Sequence, residues 1–151
     1  MRKFFLLLSI AQAVCIVCTA QIKLQNLRVE NLTNPIGLDV AQPRFSWQLV
    51  SDKRNTLQTA YEIIVEGLGK SKVATWGSGK ITSSESVQVM YAGNALQSGQ
   101  RYVWQVRVWD NSGKVSAWSE PAFWQTALFN TADWKAKWIQ PGYTEDSMRQ
   151  A

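Results

Sequence analysis

The chain of 151 residues contains no histidine, and its two cysteines, Cys15 and Cys18, both fall within the first twenty residues. These two shortages exclude a good deal. The thiolate and imidazole ligands that zinc and copper sites use are missing from residue 21 onward. So is a histidine general base. No disulfide framework can form in that part of the chain. There is no Gly-x-Ser-x-Gly elbow and no phosphate-cradling glycine loop. The formal charge is +5, but no Lys/Arg run exceeds Lys53-Arg54. The clustered basic stripe of a nucleic-acid binder is therefore absent. These residues lead us to expect no cofactor, no metal and no nucleic-acid partner. Helical periodicity is absent as well, and no internal repeat is present.

Long apolar runs are confined to the start. Met1-Arg2-Lys3 leads into an apolar stretch from Phe4 to Cys18, broken only by Ser9 and Gln12, and Cys18-Thr19-Ala20 precedes Gln21. A basic start, an apolar run short for a bilayer and small residues at its end predict a secretory signal peptide over 1–20. The competing reading is an uncleaved anchor. A lipoprotein signal fits less well, because Val14 and Val17 stand before the cysteines where small residues are needed. Cleavage after Ala20 would remove both cysteines, Arg2 and Lys3, leaving a charge of +3. The product would be secreted or periplasmic and free of the membrane.

What remains is rich in alternation. In Arg101–Asp110 the residues Tyr102, Trp104, Val106 and Val108 share one face of an extended chain, and Val103, Gln105, Arg107 and Trp109 the other. Such a pattern predicts a strand with one face in a core. Similar strands are expected over Ile22–Val29, Arg44–Leu49 (Phe45, Trp47 and Leu49 inward) and Ala60–Glu66 (Tyr61, Ile63 and Val65 inward). Others follow over Ala74–Ile81, broken by glycines, and over Ser86–Tyr91 (Val87, Val89 and Tyr91 inward). A last strand is expected over Ala117–Thr126, where Pro121 marks an edge or bulge. Asn34-Pro35 and Ile36-Gly37 read as breaks. Leu96 stands six residues before Tyr102 across a Ser98-Gly99 turn, which is the layout of a tyrosine corner. About seven short strands with turn signals and this corner predict an all-β, antiparallel immunoglobulin- or fibronectin type III-like sandwich over 21–127. Residues 128–151 read as a linker, Ala127–Asp133, and the truncated start of a following β-domain.

Three residue sets could carry function. Glycoside hydrolysis needs two carboxylates facing one another. Asp39, Asp52, Glu62, Glu66, Glu85, Asp110, Glu120 and Asp133 instead fall singly in turns or on outward positions, so no catalytic residue is assigned. Eight tryptophans are the compositional oddity. Trp47 and Trp104 face inward. Trp76, Trp109 and Trp124 are open to two readings, stacking on sugar rings or packing against a neighbouring domain. Trp134 and Trp138 join Trp109 and Trp124 as residues expected to face a partner. The third set is Arg107 with Ser116-Ala117-Trp118-Ser119, where a guanidinium over the Trp118 ring would lock one sheet face. It is similar to the Trp-Ser-x-Trp-Ser ladder of cytokine-receptor fibronectin domains, with Val115 in place of the first tryptophan.

An ordered set of motifs goes further. Leu27-Arg28-Val29-Glu30, Pro43-Arg44-Phe45-Ser46-Trp47, Trp76-Gly77-Ser78-Gly79-Lys80-Ile81, Tyr102–Asp110, Trp118-Ser119-Glu120-Pro121-Ala122 and Asp133–Ile139 follow one another in this chain. Together they resemble the N-terminal domain of bacterial α-L-rhamnosidases, which are inverting glycoside hydrolases. The resemblance implies that the catalytic carboxylates belong to an (α/α)6 barrel downstream, and none maps onto this sequence. It implies a non-catalytic accessory domain of a secreted enzyme, on a chain that ends as a truncated product or fragment. The domain's partners would be the following domains, which it packs against and orients. Two alternatives stand beside this reading: an independent module binding rhamnose-containing glycans through Trp76, Trp109 or Trp124, and a protein-interaction module presenting Arg107 and Trp118.

Overall fold

The structure is a computed structural model that describes residues 22–69, 74–137 and 139, without the side chains of 74 and 75. The expected signal peptide, Trp138 and the 140–151 tail lie outside the described residues.

Nine strands form among the described residues: β1 (Lys23–Val29), β2 (Ile36–Leu38), β3 (Arg44–Val50), β4 (Gln58–Gly67), β5 (Ala74–Gly77), β6 (Ile81–Thr82), β7 (Val89–Met90), β8 (Arg101–Asp110) and β9 (Ala122–Thr126). They make two sheets. One has the order β1-β3-β7, the other β2-β9-β8-β4-β5, with β6 also on β4. The central pair is β4–β8, antiparallel from Gln58↔Asp110 to Gly67↔Tyr102. Alternation does what it predicts here. Tyr102, Trp104, Val106 and Val108 are buried, as are Tyr61, Ile63 and Val65 beside them. Phe45 and Trp47 of β3 meet this layer from the opposite sheet, with the Phe45 ring 4.5 Å from that of Trp104. The Trp47 indole donates to Gln58 Oε1 at 3.0 Å, and Gln58 Nε2 donates to the carbonyls of Ser83 and Glu85. The Trp104 and Trp124 indole N–H groups are buried without an acceptor. Each orphan donor costs about 1–3 kcal/mol, which the area buried by the rings must outweigh.

Four expectations are corrected. Ile36-Gly37 does not merely break the chain. It belongs to β2, which runs parallel to β9 with Ile36↔Gln125 and Leu38↔Thr126. Asn34 at φ 49° turns the chain there. Its Oδ1 then accepts from the Phe123 N–H, and the Pro35 carbonyl accepts from the Gln125 N–H. Second, Val87 is exposed rather than inward. Gln88 sits in the left-handed region at φ 59°, which shifts the phase of alternation so that only Val89 and Tyr91 enter the core. Third, the last strand begins at Ala122, not Ala117. Fourth, the segment read as a linker is fastened to the sandwich. Ala127 N–H donates to the Leu38 carbonyl, Gly99 N–H to the Ala127 carbonyl and Phe129 N–H to Ser98 Oγ. Phe129 packs against the core, and a single 3-10 turn, Thr131–Asp133, follows.

Between β1 and the 33–43 connection lies a tight turn. Glu30 and Asn31 both have positive φ, 49° and 63°, and Val29 and Leu32 exchange backbone hydrogen bonds across them. This is the primed geometry that suits the twist of a hairpin. A left-handed glutamate is uncommon, and Arg44 holds it. Arg44 N–H and its Nε donate to Glu30 Oε1, and Nη2 lies 2.6 Å from Oε2. The hydrogen bonds from the Arg44 side chain, the largest influence, hold the Glu30 carboxyl below its ordinary value. A depressed carboxylate contributes stability above its unfolded pKa and loses it as pH falls through the folded one. Glu30→Gln should therefore lower the melting temperature at neutral pH, and the gap to the unmodified chain should narrow as pH falls below the ordinary carboxylate range. Thermal melts of both chains from pH 7 down to acid check this; a gap independent of pH would contradict it.

Candidate interaction face

The outward face of β8 brings together three of the residues singled out for function, Arg107, Trp109 and Trp118. Register places Glu62 of β4 opposite Arg107, and both point outward. Arg107 Nε donates to Glu62 Oε2 at 2.7 Å, with Nη2 2.6 Å from the same oxygen. The guanidinium carbon lies 4.6 Å from the Trp118 ring centre and 5.2 Å from that of Trp109. Lys80 Nζ lies 4.7 Å from the Trp109 ring. The face thus carries a ladder of Trp118, Arg107, Trp109 and Lys80, with Glu62 neutralising the inner cation.

Residues 115–119 hold Trp118 in place without forming a strand. Ser116 N–H and Ser119 N–H donate to the carbonyls of Val108 and Val106, both at 2.8 Å. The Ser116 and Ser119 hydroxyls accept from the N–H groups of the same two residues. Each serine thus supplies both halves of a ladder contact from one residue, which satisfies β8 where a regular partner strand is missing. At the other end of β8 the Tyr102 hydroxyl accepts from Gln97 N–H at 2.8 Å, with Leu96 buried beside the turn.

The other tryptophans divide sharply. Trp124, expected to face a partner, is a core residue with no exposed surface. Its ring stacks on Tyr102 at 5.1 Å and meets Phe45 edge-on at 5.6 Å. The physical reason is register: Trp124 sits opposite Tyr102, so it shares the inward face. Trp76 is half-buried, edge-on to Tyr91 at 5.0 Å. Trp109 is half-buried and flanked by its two cations. Trp134 is 68% exposed, while Trp138 lies outside the described residues. Sequence reasoning missed two members of the ladder, Lys80 and the pairing of Glu62. Outward alternation on β4 was a signal for Glu62, but the register that brings it to Arg107 was not readable.

Of the candidate carboxylates, Glu62, Asp110 and Asp133 are tied into structure. Asp110 Oδ1 accepts from Ser112 N–H, the Ser112 hydroxyl and Lys114 N–H. These contacts, led by the Ser112 hydroxyl, hold its carboxyl below the ordinary value. Asp133 is lowered in the same way, chiefly by Ser98 and then Asn130. Among the described residues no group of three or more His, Cys, Asp or Glu could hold a metal.

Two facing sheets, a buried tryptophan on a central strand and a tyrosine corner define an immunoglobulin-like β-sandwich. Residues 24–130 match the family model described as the Rha78A-like, N-terminal immunoglobulin domain, and the chain belongs to that family. An α-L-rhamnosidase of Streptomyces avermitilis is 45% identical over 113 residues, which is 74% of this chain and 11% of the relative. One of Formosa agariphila is 34% identical over 149 residues, 91% of this chain and 16% of the relative. The crystal structure of the S. avermitilis enzyme complexed with L-rhamnose superposes with a TM-score of 0.72 at 42% identity, covering 79% of this chain and 12% of that one. The chain therefore spans only 11–16% of the length of these curated relatives. What it spans is their non-catalytic N-terminal domain, so the catalytic barrel has no counterpart in these residues.

Replacing Arg107 by lysine keeps the charge but removes the planar group that stacks on indole and forks to a carboxylate. Arg107→Lys should cost about 1 kcal/mol of stability, and Arg107→Met no less. Urea titration followed by tryptophan fluorescence measures both; an Arg107→Lys chain as stable as the original would show that the ladder contributes nothing.

Proposed function

We propose that this sandwich is the N-terminal accessory domain of a secreted or periplasmic α-L-rhamnosidase-like glycoside hydrolase, and that its task is to fix the direction in which the chain enters the next domain. The observation that carries this is the fastened exit. From Ala127 to Asp133 the chain is hydrogen-bonded back to β2 and to the Ser98-Gly99 turn. Ser98 Oγ also donates to Asp133 Oδ2 at 2.5 Å. A free linker leaves domains to reorient, whereas a pinned exit transmits the orientation of the sandwich. Beside the exit opens a groove of about 680 Å³ of mixed lining, with Gln42, Asn94 and Asn130 as well as Leu96 and Phe129. Leu128 and Trp134 stand exposed along the same segment. Apolar surface of this kind suits an intramolecular partner. Export rests on the composition of Met1–Ala20 alone.

The glycan-binding alternative through tryptophan draws less support. Of its three rings, Trp124 is in the core, Trp76 packs on Tyr91, and Trp109 lies between cations. As a protein-interaction module, the domain would offer an Arg107–Trp118 pair already engaged with Glu62.

The test uses a protein in which this domain continues into the remaining rhamnosidase domains. Ser98→Ala combined with Asp133→Ala should leave the fold of the sandwich intact by circular dichroism. It should widen the distribution of interdomain distances seen by small-angle scattering and lower the melting temperature of the whole. Identical scattering from the variant and the original would refute the orienting role.

A further inference from the structure

A second site lies at the opposite pole. Asp110 ends β8 while the exit segment sits beside its start, and ten residues of strand separate them by about 30 Å. Here the 51–56 turn and the 110–114 turn enclose a hollow of about 190 Å³. Lys53, Arg54 and Lys114 line it, with Asn55, Asn111 and Asp110. Asp52, though adjacent in sequence, is not part of the lining.

Three features distinguish this hollow from an ordinary charged surface. The two turns form one rigid unit through Asn111. Its N–H donates to the Leu57 carbonyl, its Oδ1 accepts from Leu57 N–H, and its Nδ2 donates to the Asn55 carbonyl. The only lining carboxylate, Asp110, is outnumbered three to one by the lining cations, and its Oδ1 already accepts three hydrogen bonds. And none of the cations forms an ion pair among the described residues, where the pairs are Arg44–Glu30 and Arg107–Glu62, although the charge of Lys114 helps to lower the Asp110 carboxyl. Local charge of one sign in a concavity focuses the field on an incoming anion.

We propose that this hollow binds the acidic groups of an anionic polysaccharide, carboxylate or sulfate, at the end of the sandwich remote from the exit. The cations recognise the acid, and the side-chain amide of Asn55 suits sugar hydroxyls. No aromatic ring lines the hollow, so it lacks the stacking platform that single-stranded nucleic acid uses. The choice of a glycan rests on the glycosidase reading above, and the scattering experiment tests that reading separately.

The full chain is titrated at low ionic strength, where screening is weakest, with polygalacturonate, dextran sulfate, neutral dextran, duplex DNA and inorganic phosphate as probes. Polygalacturonate or dextran sulfate should bind and neutral dextran should not; which of the two binds tells carboxylate from sulfate. Lys53→Gln, Arg54→Gln and Lys114→Gln together should weaken binding by about tenfold or more, since rim charges contribute modestly but jointly. Lys53→Arg with Lys114→Arg should retain it, and circular dichroism should show both variants folded. Failure of both acidic glycans to bind, equal binding by the neutralised variant, tighter binding of DNA, or binding of phosphate alone would each overturn the assignment.

Discussion

The sandwich depends on one aromatic cluster that spans the gap between its sheets. Phe45 comes from the smaller sheet, and Tyr102, Trp104 and Trp124 from the larger. Phe45 touches both indoles, and Trp124 stacks on Tyr102. Large flat rings fill a gap of about 10 Å between sheets with few side chains. That matters here because the smaller sheet has only three strands and offers little area of its own. The cluster tolerates two indole N–H groups without acceptors, a sign that ring placement outweighs polar satisfaction at these positions. The same cluster sets the tyrosine corner, since stacking on Trp124 fixes the ring whose hydroxyl takes the Gln97 N–H.

From that core the two faces of β8 acquire different tasks. Its inner face is apolar and fully used. Its outer face is a polar ladder in which an ion pair and stacked cations replace hydrophobic packing. The serines at 116 and 119 reconcile the two, because they satisfy the strand's backbone while delivering Trp118 to Arg107. Among the described residues nothing on this face joins a nucleophile to a base, and Glu30, Glu62, Asp110 and Asp133 are engaged in turns and ion pairs. The chemistry of the domain is that of holding and contacting, in keeping with its place as a small N-terminal part of much longer relatives.

Much of this was legible in the sequence where alternation ran unbroken. Arg101–Asp110 and Ala60–Glu66 show their inward residues directly, because period-two burial needs only a continuous strand. Legibility failed where backbone conformation changed the phase. Gln88 adopts positive φ without being glycine, so Val87 went to the wrong side. Asn34 turns the chain into a parallel edge strand where Asn34-Pro35 and Ile36-Gly37 read as breaks. Trp124 faces inward because it pairs with Tyr102, a register between strands that alternation within one strand does not supply. The ladder was half legible. Arg107 and Trp118 follow from motif and alternation, whereas Lys80 and Glu62 depend on registers between strands distant in sequence.

The arrangement of ends follows from the central strand. β8 starts at the corner, beside the fastened exit, and finishes at the turn that Asp110 closes. A rigid ten-residue strand between them keeps those ends apart and mutually fixed. If the pinned exit orients the following domain as proposed, the far pole is fixed relative to that domain as well, and a ligand held there would lie at a set distance and direction from it. Orientation and binding would then be linked by geometry alone, with no moving part in the sandwich: a long strand whose inner face is locked by aromatic packing and whose outer face is locked by Arg107.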